Sequence, residues 1–140
     1  MKNVPIVMFL VFFTLTGCGN DPQDQKANLN GYWKIQHADT PYQKGKKYKF
    51  SENVDYIKVK NDTGFRAKVL PRLDGSVISN GVREQLSLSI SQDSLRLNYK
   101  TPYDAWQETV IKADGEVLKV KNRRGFIYTY TKYEPKNITQ

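Results

Sequence analysis

Few residues of this sequence are suited to acid–base, nucleophilic or metal chemistry. The chain has one histidine, His37, and one cysteine, Cys18, whereas serine–histidine triads and multi-histidine zinc sites need several partner groups. Asp104 and Glu108 are a candidate carboxylate pair, but four residues of strand separate them by about 13 Å. Paired glycosidase carboxylates lie only about 5 to 9.5 Å apart. The sequence also lacks a glycine-rich phosphate loop. We therefore expect no enzymatic activity, no metal site and no cofactor.

Aromatic side chains are better candidates for a binding role. Those singled out as candidate ligand contacts are Trp33, Trp106, Tyr128 and Tyr130. Trp33 fits a core position near one end of a sheet structure, because a buried indole needs a partner for its N–H. Tyr128 and Tyr130 share a strand face with Phe126, where they either line an interior or pack across neighbouring strands.

The orientation of Trp106 has two interpretations, because its strand does not alternate cleanly between apolar and polar residues. If Trp106 points inward, Glu108 does too, and a buried carboxylate needs a cationic or hydrogen-bonding partner. That arrangement predicts a polar ligand cavity. If Trp106 points outward, it is an exposed aromatic ring that can stack on a sugar or contact a partner protein.

Lysines are concentrated around Gly45, and the formal net charge of the chain is +8. A basic surface favours anionic partners such as lipid head groups or acidic glycans. One interpretation is a patch that attracts an anionic partner; the other is a solvated loop whose lysines protect an edge strand from aggregation. The residues of this candidate patch are Lys44, Lys46, Lys47 and Lys49.

The N-terminal segment has the features of an export signal. Met1-Lys2-Asn3 is a short basic start, and the apolar run from Val4 to Leu15 is too short for a membrane-spanning helix of about 20 residues. Leu15-Thr16-Gly17-Cys18 resembles the lipobox of bacterial lipoproteins. This resemblance implies removal of residues 1–17, lipidation of Cys18 and, because Gly19 follows the cysteine, anchoring in the bacterial outer membrane, periplasmic or surface-facing. Residues 18–29 are polar and predict a flexible tether with an end-to-end distance of about 20 Å.

From Gly31 onward the dominant periodicity is two residues, which indicates β-strands. Turn-forming pairs such as Asp74-Gly75, Asn80-Gly81 and Asp114-Gly115 separate the segments. Short strands joined by tight turns predict an all-β, antiparallel up-and-down barrel of about eight to ten strands, in one domain over residues 30–135 with a tail at 136–140. The predicted strand segments are 32–37, 47–50, 54–60, 65–69, 86–90, 95–99, 105–112, 117–121 and 126–133.

The start of the first strand, Leu29-Asn30-Gly31-Tyr32-Trp33, carries a Gly-x-Trp motif. With the segments 54–57, 101–106 and 128–135, it resembles lipocalins and the small lipocalin-like lipoproteins of Bacteroidetes. The resemblance implies that the glycine eases the chain into a barrel and that Trp33 closes one barrel end. It also implies a basic residue near the last strand that stacks on this tryptophan. The candidates are Arg123, Arg124 and Lys132, and the sequence does not choose among them.

The leading functional hypothesis is a membrane-anchored lipoprotein whose lipocalin-like barrel binds a small or amphipathic ligand. The alternative is an envelope interaction module that binds a protein or an anionic glycan through its outer surface, using an exposed Trp106 and the lysine patch. The expected partners are the membrane, through Cys18, and a small ligand. Nucleic acid is not expected, because an exported lipoprotein rarely meets it. Ligand identity and oligomeric state stay open.

Overall fold

The computed structural model describes residues 21–43, 46–47 and 53–135. The predicted signal segment, Cys18, the whole predicted C-terminal tail and the patch residues Lys44 and Lys49 lie outside these ranges. The elements are one helix, α1 (Pro22–Ala27), followed by β1 (Gly31–Asp39), β2 (Lys46–Lys47), β3 (Val54–Lys60), β4 (Thr63–Pro71), β5 (Val77–Ser91), β6 (Ser94–Lys100), β7 (Ala105–Ala113), β8 (Val117–Asn122) and β9 (Ile127–Tyr133).

Eight strands of the described chain close into an antiparallel barrel. From β3 to β9 each strand pairs with the next one along the chain, β1 pairs with β3, and pairing between β1 and β9 closes the ring. The two-residue β2 adds to β1 outside this circuit. Asn61, Asp62, Gln92 and Asp93 form two-residue turns with positive φ, as tight hairpins require. The predicted all-β up-and-down barrel is confirmed.

Register shifts interrupt three strand pairings and change which residues face inward. The shift in the pairing of β7 with β8 lies between Val110 and Lys112, which explains why the β7 sequence does not alternate cleanly. The shift in β1 lies between Ile35 and His37. Because Ile35 pairs with the inward Tyr130 and His37 with its neighbour Thr129, His37 lies on the opposite face from Trp33 and Ile35, contrary to simple alternation.

The hydrophobic core fills the end of the barrel where β1 begins. Trp33 and Leu29 are both 0% exposed there, and we call this region the closed end. The remaining core residues come from β3 and β5 to β9 and are Ile57, Leu86, Leu95, Leu97, Tyr99, Val110, Ala113, Leu118, Val120 and Tyr130. The opposite end, where β3 and β7 begin, is the open end.

The segment predicted as a flexible tether is in part a docked helix. Asp21 caps α1 by accepting a hydrogen bond from the Gln23 N–H at 2.8 Å. The helix packs against β6 and β7, and Asn28 Nδ2 donates to the Ala113 carbonyl at 3.4 Å. Leu29 anchors the segment because its side chain is fully buried. The described chain contains no helix long and apolar enough to cross a membrane.

Candidate functional site

The open end of the barrel holds a pocket of about 460 Å³, a volume typical of small-molecule sites. Its aromatic wall consists of Trp106, Tyr128 and Tyr130. Its charged groups are the cations Arg66, Lys68, Arg123 and Arg124 and the carboxylates Asp104 and Glu108. The pocket therefore combines flat apolar surface with charge of both signs.

Strand register places these side chains on the inner wall. On β6 and β7, Tyr99 pairs with Trp106 and Leu97 with Glu108. Since Tyr99 and Leu97 are buried core residues and directly paired residues share a face, Trp106 and Glu108 point inward. Trp106 is half-buried and stacks on Tyr99, with ring centroids 5.3 Å apart. Of the two orientations considered, the structure shows the inward one, so Trp106 is not an exposed ring on the outer wall.

Arg66 on β4 is the cation that the buried Glu108 requires. Its Nε donates to Glu84 Oε2 at 2.5 Å, and its Nη1 lies 3.7 Å from Glu108 Oε2. The guanidinium also lies 4.2 Å from the centre of the Tyr99 ring. Burial by itself lowers the pKa of Arg66, but Tyr99 and the nearby carboxylates outweigh burial and raise it. Arg66 therefore stays charged inside the barrel.

Glu108 is 6% exposed, and burial raises the pKa of its carboxyl group. The charge of Arg66 and a hydrogen bond with Tyr99 oppose this effect without cancelling it. Within the described chain, Glu108 Oε2 is buried and accepts no hydrogen bond. A buried acceptor without a donor is uncommon and costly.

A second interior ion pair joins Lys68 on β4 to Asp55 on β3. Asp55 is 4% exposed, whereas the Lys68 side chain is 56% exposed and reaches the pocket wall. At the mouth, Arg123 and Arg124 lie in the turn between β8 and β9, and the Arg124 guanidinium lies 5.1 Å from the centre of the Phe126 ring. The mouth thus carries two arginines against the one carboxylate of Asp104, while the deeper wall carries the ion pairs of Arg66 and Lys68.

Tyr128 and Tyr130 line the interior, as one of their two interpretations predicted. Their cross-strand partners on β8 are Val120 and Leu118, which belong to the core. Burial raises the pKa of Tyr130 well above its ordinary range, so its hydroxyl remains protonated and can donate a hydrogen bond at neutral pH.

Trp33 closes the barrel rather than lining the open pocket. Its Nε1 donates to the Leu29 carbonyl at 2.8 Å, and Lys132 Nζ lies 4.5 Å from the centre of its indole ring and 2.5 Å from the Asn30 carbonyl. Gly31, with φ of +130°, leaves the space that the Lys132 side chain occupies. Among the three basic candidates, the structure therefore selects Lys132 and places Arg123 and Arg124 at the open mouth.

The lysine patch is only partly described by the structure, and the single histidine lies away from the pocket. For the lysine patch, the structure describes the backbone pairing of Lys46 and Lys47 with β1 and no side chains, so the patch stays a prediction. His37 lies outside the pocket, 3.9 Å from Asp39. No group of three histidine, cysteine or carboxylate side chains in the described ranges is placed to hold a metal ion.

Sequence analysis did not identify Arg66, Lys68, Asp55 and Glu84 as interior residues. The alternation in residues 65–69 is regular, but it is equally compatible with either face pointing inward. An inward Glu108 was expected to need a cationic or hydrogen-bonding partner, and Arg66 of β4, a strand held between β3 and β5, is that cation. The two charged residues at alternate positions of β4, Arg66 and Lys68, were the available signal.

The comparisons with known proteins agree with this architecture. Residues 29–120 match the family model described as a lipocalin-like domain, a range that begins before the Gly-x-Trp motif and ends within β8. Comparison with curated proteins and with solved structures gives no match. Because the family match covers well over half of the chain and the strands close into the expected barrel, this protein belongs to the lipocalin-like domain family.

Proposed function

We propose that this protein is a non-enzymatic binding protein that holds a small amphipathic ligand in its open-end pocket. The observation that carries the proposal is the contrast inside one barrel: a packed core at the closed end and a 460 Å³ pocket at the other. A lipocalin-like barrel suggests ligand binding in general. The amphipathic character of the ligand is inferred from the aromatic wall and the basic mouth.

The pocket lining supports this ligand class through two complementary surfaces. The ring of Trp106 offers a flat apolar face, which contributes roughly 0.5–1.5 kcal/mol to an aromatic contact beyond simple burial. Arg123 and Arg124 at the mouth attract an anionic group that remains near solvent. A ligand with an apolar body and a charged end satisfies both surfaces.

We also propose that lipidation of Cys18 anchors the protein in the bacterial outer membrane. Only Gly19 and Asn20 separate this cysteine from Asp21, the residue that caps the docked helix. Three residue steps span at most about 10 Å. Because α1 packs at the closed end, a lipid on Cys18 holds the closed end near the membrane, and the pocket opens away from it.

The anchor is tested by replacing Cys18 with serine in cells of the source organism or a Gram-negative host. We expect the intact protein to incorporate labelled palmitate and to fractionate with outer membranes, and the C18S variant to lose both properties. A matched Thr16→Ser variant keeps the cysteine and should behave as the intact protein. Equal membrane fractionation of C18S and intact protein would contradict the proposed anchor.

Ligand binding is tested with the fluorescent amphipathic anion 1-anilinonaphthalene-8-sulfonate and with native mass spectrometry of protein extracted from its own membrane. We expect saturable one-site binding and a roughly tenfold weaker affinity for Trp106→Ala, since a lost aromatic contact and its buried area together account for about that factor. Tyr103→Ala is the control, because Tyr103 is an aromatic residue of the same region that is 97% exposed. Equal loss in both variants would contradict binding in the pocket.

A further inference from the structure

Glu108 Oε2 is a hydrogen-bond acceptor that the described protein leaves unused at the inner wall of the pocket. The oxygen is buried and accepts no hydrogen bond from any described group, although Glu108 lines the pocket. Its nearest cationic atom, Arg66 Nη1, is 3.7 Å away, beyond hydrogen-bonding distance. The Nε of the same guanidinium is already bonded to Glu84.

The charges of the inner wall do not supply another partner. Two cations, Arg66 and Lys68, face three carboxylates, Asp55, Glu84 and Glu108. Lys68 pairs with Asp55, and Arg66 bonds directly to Glu84. Glu108 is therefore the carboxylate with the most distant cation. The hydrogen bond with Tyr99 acts on its carboxyl group but leaves Oε2 without a donor.

The position of this acceptor argues against a purely structural role. A buried acceptor without a donor destabilises a fold, and the closed end shows that the same strand can place an aliphatic residue inward, since Val110 lies there 4% exposed. Glu108 and the half-buried Trp106 instead both line the pocket, so the carboxyl group lies at its wall. A donor carried by the ligand would satisfy it.

We propose that the ligand donates a hydrogen bond, from a hydroxyl or amine group, to the Glu108 carboxylate while its apolar body lies against Trp106. This inference rests on the proposed binding function and narrows its ligand class. It excludes a plain fatty acid or aryl carboxylate entering acid-end first, because its carboxylate would meet Glu108 as a like charge. Any anionic group of the ligand lies toward Arg123 and Arg124.

The test compares four probes that share a naphthalene body. 1-Naphthylmethanol and 1-naphthylmethylamine carry a donor, 1-ethylnaphthalene replaces the hydroxyl with a methyl group, and 1-naphthoate presents a carboxylate. Binding is measured by calorimetry and by the quenching of tryptophan fluorescence. We expect the alcohol and the amine to bind at least about tenfold more tightly than 1-ethylnaphthalene, since a hydrogen bond to a charged group is worth about 1.5–3 kcal/mol.

Two variants test whether Glu108 causes the preference for probes that carry a hydrogen-bond donor. Glu108→Gln removes the charge and should reduce the advantage of the amine most strongly, to within about threefold of 1-ethylnaphthalene. Glu116→Gln is the matched control, because Glu116 is exposed in the closed-end turn between β7 and β8 and should leave all four affinities unchanged. If E108Q does not fold, the comparison of the four probes on the unsubstituted protein still decides the question.

The outcomes separate this inference from the proposed function. Tight binding of 1-ethylnaphthalene, equal to that of the alcohol and the amine, would overturn the donor requirement and leave pocket binding intact. Preferential binding of 1-naphthoate would also overturn it. Failure of all four probes and of the fluorescent anion to bind at millimolar concentration would contradict the binding function itself. A donor preference lost in E108Q and kept in E116Q supports the inference.

Discussion

The two ends of this barrel are built from the same strands but have opposite interiors. Along β6 the inward residues change from Leu95 and Leu97 at the closed end to Tyr99 toward the open end. Along β8 they change from Leu118 and Val120 to Asn122, which pairs with Glu108. The backbone is continuous across this change, so the difference lies in side chains alone.

The comparison separates residues that stabilise the barrel from residues available for binding. At the closed end the polar groups are satisfied: the Trp33 indole N–H and the Lys132 ammonium each have a carbonyl partner. At the open end, Glu108 Oε2 has no donor within the described chain and the ring of Trp106 is only half-buried. We therefore expect closed-end substitutions to change stability and open-end substitutions to change affinity.

The largest expected effect comes from removing the tryptophan at each end. Trp33→Ala should lower the free energy of unfolding by about 3–5 kcal/mol, as truncation of a buried tryptophan does. Trp106→Ala should lower it by only about 1–2 kcal/mol, because the ring is half-buried. Urea denaturation followed by circular dichroism measures both values.

Equal losses of stability in Trp33→Ala and Trp106→Ala would contradict the division of the barrel into a stabilising closed end and a binding open end. Because Trp33→Ala can leave too little stability for a measurable transition, Trp33→Phe serves as a milder variant. It should still be less stable than the unsubstituted protein, since phenylalanine cannot donate to the Leu29 carbonyl.

A smaller effect is expected from Lys132→Met at the closed end. Loss of the contact with Trp33 and of the hydrogen bond to Asn30 should cost about 1–2 kcal/mol and leave probe affinity unchanged. Lys121→Met is the control, because Lys121 is an exposed lysine of the neighbouring strand β8. A loss of affinity without a loss of stability in K132M would show that this lysine serves the pocket instead.

The arginines at the mouth of the pocket should have a still smaller effect, on ligand affinity and not on stability. Arg123→Gln and Arg124→Gln are each expected to weaken binding of the anionic fluorescent probe about two- to fivefold, as exposed charge pairs do. The difference in probe affinity between these variants and the unsubstituted protein should be smaller in 0.5 M salt, because salt screens exposed charges. Arg72→Gln, in the exposed turn between β4 and β5, should have no effect, and a comparable loss there would indicate non-specific attraction.

The smallest expected effect is a change in the pH dependence of stability caused by Glu108. Burial raises its pKa above the ordinary value of 4.5, so the folded state binds this proton more tightly than the unfolded state. Its contribution to stability is therefore largest at low pH and decreases as pH rises from about 4.5 through the raised folded value. E108Q should remove this decrease and be at least as stable as the unsubstituted protein at pH 7.

Unfolding measured at intervals from pH 4.5 to pH 8, with Glu116→Gln as the control, tests this expectation. Arg66 keeps Glu84 as a direct partner in the variant, so no cation is left without a carboxylate. A variant much less stable than the unsubstituted protein at pH 7 would show that Glu108 is chiefly a structural partner of Arg66, and would weaken the case for a ligand donor.

Much of the closed end follows from local sequence, whereas little of the pocket does. The Gly-x-Trp motif and the buried indole were predicted from residues within five positions of one another. Sequence analysis left three candidates for the basic residue that stacks on Trp33. Only the pairing of Trp33 with Lys132 across β1 and β9 decided among them. The helix α1 was not predicted, because its six residues, four of them polar or charged, carry no helical periodicity and Leu29 holds it in place by burial.

The sequence by itself determined the all-β barrel, because a two-residue hydrophobic period and tight-turn residues are local signals. It did not determine which face of each strand points inward, since alternation fits both faces and a bulge reverses the phase. Only the tertiary structure brought Arg66 from β4 beside Glu108 from β7 and directed Trp106 into the barrel. The interior charges of the pocket thus arise from strand register, which is set by closure of the whole barrel.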